Sequence, residues 1–215
     1  MSNRHPAKQH AELDILHGSL WRNIPLFALP VAATSILEQL SNLVDTLVIG
    51  HFSAEGGAFG MAAVGSITPI ASLLVMLFVG LSLGANVAIA HAVGAGDHDR
   101  AQRHAHTAIV LSLVGVVAAI AMELVSQPLL QCLSVPSEVF PDALMYLRIY
   151  LIGVPAILLY NLEAAIFRSV GITRMPMTAL AISGVLNIIL DTLFVAVFGW
   201  GAAGVAAATV LCYTA

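Results

Sequence analysis

Charge is scarce in this chain. Asp, Glu, Lys and Arg make up 9% of its 215 residues, where a soluble protein carries roughly 25%. Apolar residues make up 59%, and the mean hydropathy is +0.94, so the expected surroundings are lipid. With eight Lys and Arg against twelve Asp and Glu, a net charge of -4 leaves no basic footprint for nucleic acid. Cysteine is nearly absent too: Cys132 and Cys212 lie far apart in different apolar runs, which excludes a disulfide framework or a metal spacing and makes both packing residues. There is no His-Glu-x-x-His, no Gly-x-Ser-x-Gly and no phosphate-cradling Gly-Lys-Ser loop, so no enzyme activity is expected. The first twenty residues lack the apolar h-region of a secretory signal, and residues 1–22 are expected to form a short cytoplasmic tail.

Long apolar runs are what the sequence does have. A membrane span needs about 20 such residues, and five segments qualify: 24–49, 61–91, 107–130, 143–167 and 177–198. A sixth starts near Gly201 and reaches Ala215 after about 15 residues, roughly 22 Å of a hydrocarbon core about 30 Å thick. It is expected to be incomplete. Lys and Arg favour the cytoplasm in short connections. Arg4, Lys8 and Arg22 precede span one, Arg100 and Arg103 separate spans two and three, and Arg168 and Arg174 separate spans four and five. The alternate connections hold neither residue type, and Arg148 inside span four is the exception. The expectation is a multi-pass protein of the plasma (inner) membrane with its N-terminus cytoplasmic.

Span one is interrupted by a polar stripe. Thr34, Glu38, Ser41, Asn42 and Asp45 recur at three- and four-residue steps with no Lys or Arg nearby, which puts them on one helix face. Ionisable groups in a span are costly and mark an ion or substrate pathway. Span five repeats the pattern with Ser183, Asn187 and Asp191 at steps of four. On the helical rise, Asp45 falls about 8 Å, and Asp191 and Thr209 about 12 Å, below the outer ends of their spans. Two carboxylates at one level without a basic neighbour must take up a proton or bind a cation. The hard oxygen donors present suit an ion such as Na+. The alternative is that each aspartate satisfies a neighbouring helix without titrating.

Other polar residues leave two readings open. Glu38 lines the same cavity or makes an interhelical bond, and Asn161 in span four contacts substrate or glues helices together. Arg148 is available to pair with Glu123 or Glu163. His98, His104 and His106 read as parts of a solvated loop with Asp97, Asp99, Arg100 and Arg103. Gly80-x-x-x-Gly84 and the small-residue run 201–208 permit close helix approach. Pro30 removes a helix hydrogen bond and is expected to bend span one.

Five motifs in order carry a family resemblance: Asn42-Leu43-Val44-Asp45-Thr46, Ala92-x-Gly94-Ala95-Gly96-Asp97, Phe167-Arg168-x-x-Gly171-x-Thr173-x-x-Pro176, Asn187-x-x-x-Asp191, and Gly201-Ala202-Ala203-Gly204-Val205-Ala206-x-Ala208-Thr209. Together they resemble the multidrug and toxic compound extrusion (MATE) family of secondary transporters. The resemblance implies an all-α fold of twelve helices in two six-helix lobes around a central cavity, exchanging organic cations for H+ or Na+ without a cofactor. Residues 23–215 then correspond to the N-terminal lobe, with the C-terminal lobe of the same polypeptide outside this chain. The resemblance further implies a cation site at Asp45, Asn187, Asp191 and Thr209, a helix bend at Pro30, and a substrate-facing wall that includes Asn161; Glu38 and Asn42 of the polar stripe are expected to line the same substrate cavity. Two rivals remain: a lipid-linked precursor flippase of the same superfamily, which needs a basic groove, and a non-transporting membrane subunit.

Overall fold

A computed structural model describes residues 20–52 and 57–214, which form six helices and no strand among them. These are α1 (Leu20–Phe52), α2 (Gly57–Gly94), α3 (His98–Cys132), α4 (Phe140–Ser169), α5 (Arg174–Thr192) and α6 (Gly201–Thr214). The expected tail lies almost wholly outside the described residues. The first five helices are each long and apolar enough to cross a membrane, and the chain is a multi-pass membrane protein.

The helices run past the apolar segments, because an apolar run marks only what lies in hydrocarbon while backbone bonding continues to a cap. The largest difference is between α2 and α3. The segment expected to be a solvated loop is mostly helix: Asp97 caps α3 by accepting the Arg100 N–H at 2.9 Å, which places His104 and His106 in its first turns. The turn itself is short, and Gly96 takes it at φ 72°, a conformation glycine adopts without a Cβ clash. At the other end, α5 does not stop at Thr192 but winds through one π turn, Leu193–Val197. The Phe198 N–H closes that turn on the Leu193 carbonyl at 3.1 Å. Pro30 sits inside an unbroken α1, where its ring leaves the Leu26 carbonyl without its usual partner.

Helix α4 is the hub, packed against α2, α3 and α6. Its Leu147, Leu151, Val154, Leu158 and Leu162 interlock with Phe78, Leu74 and Ile67 of α2 and Leu130 of α3. Lipid tails are as apolar as these side chains, so close packing and polar contacts hold such helices rather than a hydrophobic drive. The small residues of α6 fulfil their expected role, with Ala202, Gly204, Val205, Ala206 and Ala208 all buried. Gly80 and Gly84 do not: a Cβ on either would meet nothing within 4 Å. Close approach occurs instead at Gly115, Gly153 and Gly204. Polar ties between helices include one from the Asn86 amide of α2 to the Ala165 carbonyl of α4 at 3.1 Å. Asn86→Ala is expected to lower unfolding stability in detergent by about 0.6 to 1.7 kcal/mol, the range of interhelical hydrogen bonds in membranes. A midpoint equal to wild type would show that the bond contributes nothing.

Candidate functional site

The polar faces of α1 and α5 meet because Gly184 leaves room for them: a Cβ there would lie 3.3 Å from Ser41 Oγ. One residue earlier, the Ser183 hydroxyl donates to the Cys212 carbonyl at 2.8 Å, which ties α5 to α6. Between these helices and α4 lies a cavity of about 150 Å³. Glu38, Ser41, Asn42, Asp45, Ser183, Asn187 and Thr209 contribute its polar lining, with Asn161 and Tyr150 from α4. Among the described residues no Lys or Arg lines it. Ligand pockets for drug-sized molecules run from about 300 Å³, so this volume suits an ion with a few waters rather than a whole drug.

The Asp45 carboxyl lies within bonding reach of the Asp191 carboxyl and the Thr209 hydroxyl. Asp191 is fully buried and Asn187 nearly so. Asp45 Oδ1, both Asp191 oxygens and Asn187 Nδ2 are buried without a hydrogen-bond partner. A buried carboxylate oxygen without a donor costs the desolvation of its charge. The Thr209 hydroxyl beside Asp45 leaves these three oxygens unrelieved, and among the described residues no Lys or Arg lines the cavity. A proton shared between the carboxyls, or a monovalent cation held by these oxygens, Thr209 Oγ1 and a turned Asn187 amide oxygen, satisfies the arrangement. Among the described residues no three His, Cys, Asp or Glu gather as a metal cluster, so the donor set fits a singly charged species better than a divalent metal.

The remaining expected residues fall as follows. Glu38 and Asn42 line the cavity. Asn161 also lines it, and its Nδ2 donates to Ile157 O in its own helix at 2.8 Å. Thr34, from the same stripe, is buried and bonds back to the Pro30 carbonyl at 2.9 Å instead. Arg148 pairs with Glu123, Nε to Oε1 at 2.8 Å. Composition and spacing gave no sign of Tyr146, which stacks on Tyr150 at 6.3 Å and sits beside both aspartates.

A protein-family model described as MatE matches residues 30–193. Among curated relatives, the probable multidrug resistance protein YoeA of Bacillus subtilis is 29% identical over 90% of this chain and 42% of its own length. Protein DETOXIFICATION 44, chloroplastic, of Arabidopsis thaliana is 31% identical over 90% of this chain and 39% of its own. Of solved structures, MATE in complex with MaD3S superposes with a TM-score of 0.87 at 29% identity, covering 96% of this chain and 46% of that one. An outward-facing multidrug resistance MATE transporter gives the same TM-score over 97% of this chain and 46% of that one. The chain therefore spans less than half the length of these relatives.

Proposed function

The chain belongs to the MATE family, and from that premise we propose that it is the N-terminal lobe of a secondary antiporter that exports organic cations in exchange for H+ or Na+. The observation that carries the reading is the buried Asp45–Asp191 pair with its unpartnered oxygens. Those oxygens offer a seat for one inward-moving cation. The relatives are named as transporters, several of them as multidrug resistance proteins, which supports drugs as the exported class.

Coupling ion and organic cation carry the same sign, so a cavity lined by carboxylates stabilises either and favours neither without a conformational change. Occupation of the Asp45–Asp191 pair from outside removes one negative charge from the cavity and weakens its hold on the organic cation, which is then released. A tenfold gradient of one ion supplies about 1.4 kcal/mol, enough to support a tenfold opposing gradient of a monovalent substrate at one-for-one exchange. Electrical driving forces cancel at that stoichiometry. A pyrophosphate-lipid flippase fits poorly, because its substrate is anionic and the cavity is lined by Glu38 and Asp45 and, among the described residues, by no Lys or Arg. The distribution of Lys and Arg supports a cytoplasmic N-terminus, and the C-terminal lobe is expected to complete the drug-sized space.

The test is ethidium efflux from vesicles holding the protein expressed from its complete gene, with Na+ and pH gradients imposed in turn. Efflux that follows one gradient and stops when it is collapsed is the expected result. Efflux indifferent to both would overturn the antiport reading.

A further inference from the structure

We propose that the Arg148–Glu123 pair is a seat for the phosphate of a membrane phospholipid on the outside of the bundle. The pair joins α4 to α3 on the side away from the cavity: among the described residues α3 packs on α2 and α4 alone, and no residue of α3 lines the cavity. Around the pair the surface is bare aliphatic, with Leu124 78%, Ile152 75% and Met145 57% exposed. That is the composition of a lipid-facing wall. The two charged side chains are themselves 52% and 40% exposed on it.

Depth decides what they meet there. Helix α4 is 30 residues long, about 45 Å against a core of about 30 Å. A centred helix then overhangs by about 7 Å at each end, and Arg148, about 12 Å from the helix start, lies about 5 Å inside the hydrocarbon boundary. The same arithmetic on α3 puts Glu123 about 3 Å inside it. An arginine at that depth reaches the headgroup layer by extending its stem.

Its hydrogen bonding is incomplete. A guanidinium has five N–H donors, and Glu123 is its one acceptor among the described residues, met through Nε. The outer donors form the planar fork that suits a phosphate, and phosphate is the abundant acceptor at this level of a bilayer. Glu123 fixes the fork and cancels its charge, so the contact depends on the phosphodiester rather than on net headgroup charge.

The complete protein in detergent, titrated with palmitoyl-oleoyl phosphatidylglycerol and read by native mass spectrometry, tests this. Arg148→Gln is expected to weaken the tightest-bound lipid about tenfold and to leave the remaining binding steps unchanged. Because that variant strands Glu123, the double variant Arg148→Gln, Glu123→Gln serves if the single one misfolds, with the same loss expected. Phosphatidylcholine is expected to behave like phosphatidylglycerol, and a galactosyl diacylglycerol, which has no phosphate, to show no Arg148-dependent step. Wild-type lipid affinity in the double variant, or an equal Arg148-dependent step with the galactolipid, would overturn the proposal. Neither readout involves transport, so the result stands apart from the antiport reading.

Discussion

Asp45→Asn is expected to reduce gradient-driven ethidium efflux to the passive background while leaving the amount of folded protein in the membrane unchanged. The substitution keeps the shape of the side chain and replaces a carboxylate oxygen by an amide that donates. Asp191, fully buried with neither oxygen partnered, then gains an internal hydrogen bond in place of the cation. The variant therefore resembles the ion-loaded lobe permanently and has lost one of the two charges that hold an ion. Without coupling, a tenfold ion gradient no longer supports the tenfold substrate gradient, worth about 1.4 kcal/mol. Asp191→Asn is expected to act in the same way from the other side of the pair. The measurement compares initial efflux rates, and the steady-state ethidium gradient, with wild type at matched protein levels. Undiminished coupled efflux in Asp45→Asn would remove the pair from the mechanism, however well the rest of the fold matches a transporter.

These effects are concentrated in residues that sequence alone picks out, for a physical reason. In a chain with 9% charged residues, a carboxylate inside a 20-residue apolar run is so costly that its position is already information. Helical spacing turns that position into a face, and the structure brings Asp45, Asp191 and Thr209 together on those faces. What spacing cannot supply is the third dimension. Tyr146 is an aromatic in an apolar helix until the bundle brings it within electrostatic reach of Asp45 and Asp191. Gly80 and Gly84 have the spacing of a packing motif, yet in this lobe a Cβ on either would meet no neighbour within 4 Å. The pairing of Arg148 with Glu123 rather than Glu163 follows from α3 and α4 lying side by side, which no local pattern encodes. The histidine-rich connection misleads for a different reason: polarity excludes hydrocarbon but not helix, and one aspartate cap suffices to start α3 there.

Gly153→Ala is expected to be the most damaging single methyl group in the lobe. A Cβ at that position would sit 2.4 Å from Val210 Cγ2 and 3.2 Å from Val210 Cβ and Cγ1. Valine has one strongly preferred rotamer in a helix, so it cannot swing aside, and α4 and α6 must separate by several tenths of an ångström. Overpacking of this kind costs about 1 to 3 kcal/mol. Gly115 provides the contrast: its added methyl would press on the terminal Cδ2 of Leu158 at 2.9 Å, the far end of a longer side chain, and Gly115→Ala is expected to cost less. The displacement also has a functional consequence, because Val210 adjoins Thr209 and carries it away from Asp45 when α6 moves. Gly153→Ala is thus expected to lower the thermal midpoint and to raise the ion concentration needed for half-maximal efflux. Val210→Ala in the same chain removes both methyls that clash and is expected to restore both quantities most of the way. A double-mutant cycle on unfolding then gives a coupling energy above about 1 kcal/mol, as residues in direct contact do. A midpoint for Gly153→Ala equal to wild type, or a double variant no better than the single one, would mean that α4 and α6 are not held by this contact, and that Thr209 is positioned by something other than the α4–α6 seam.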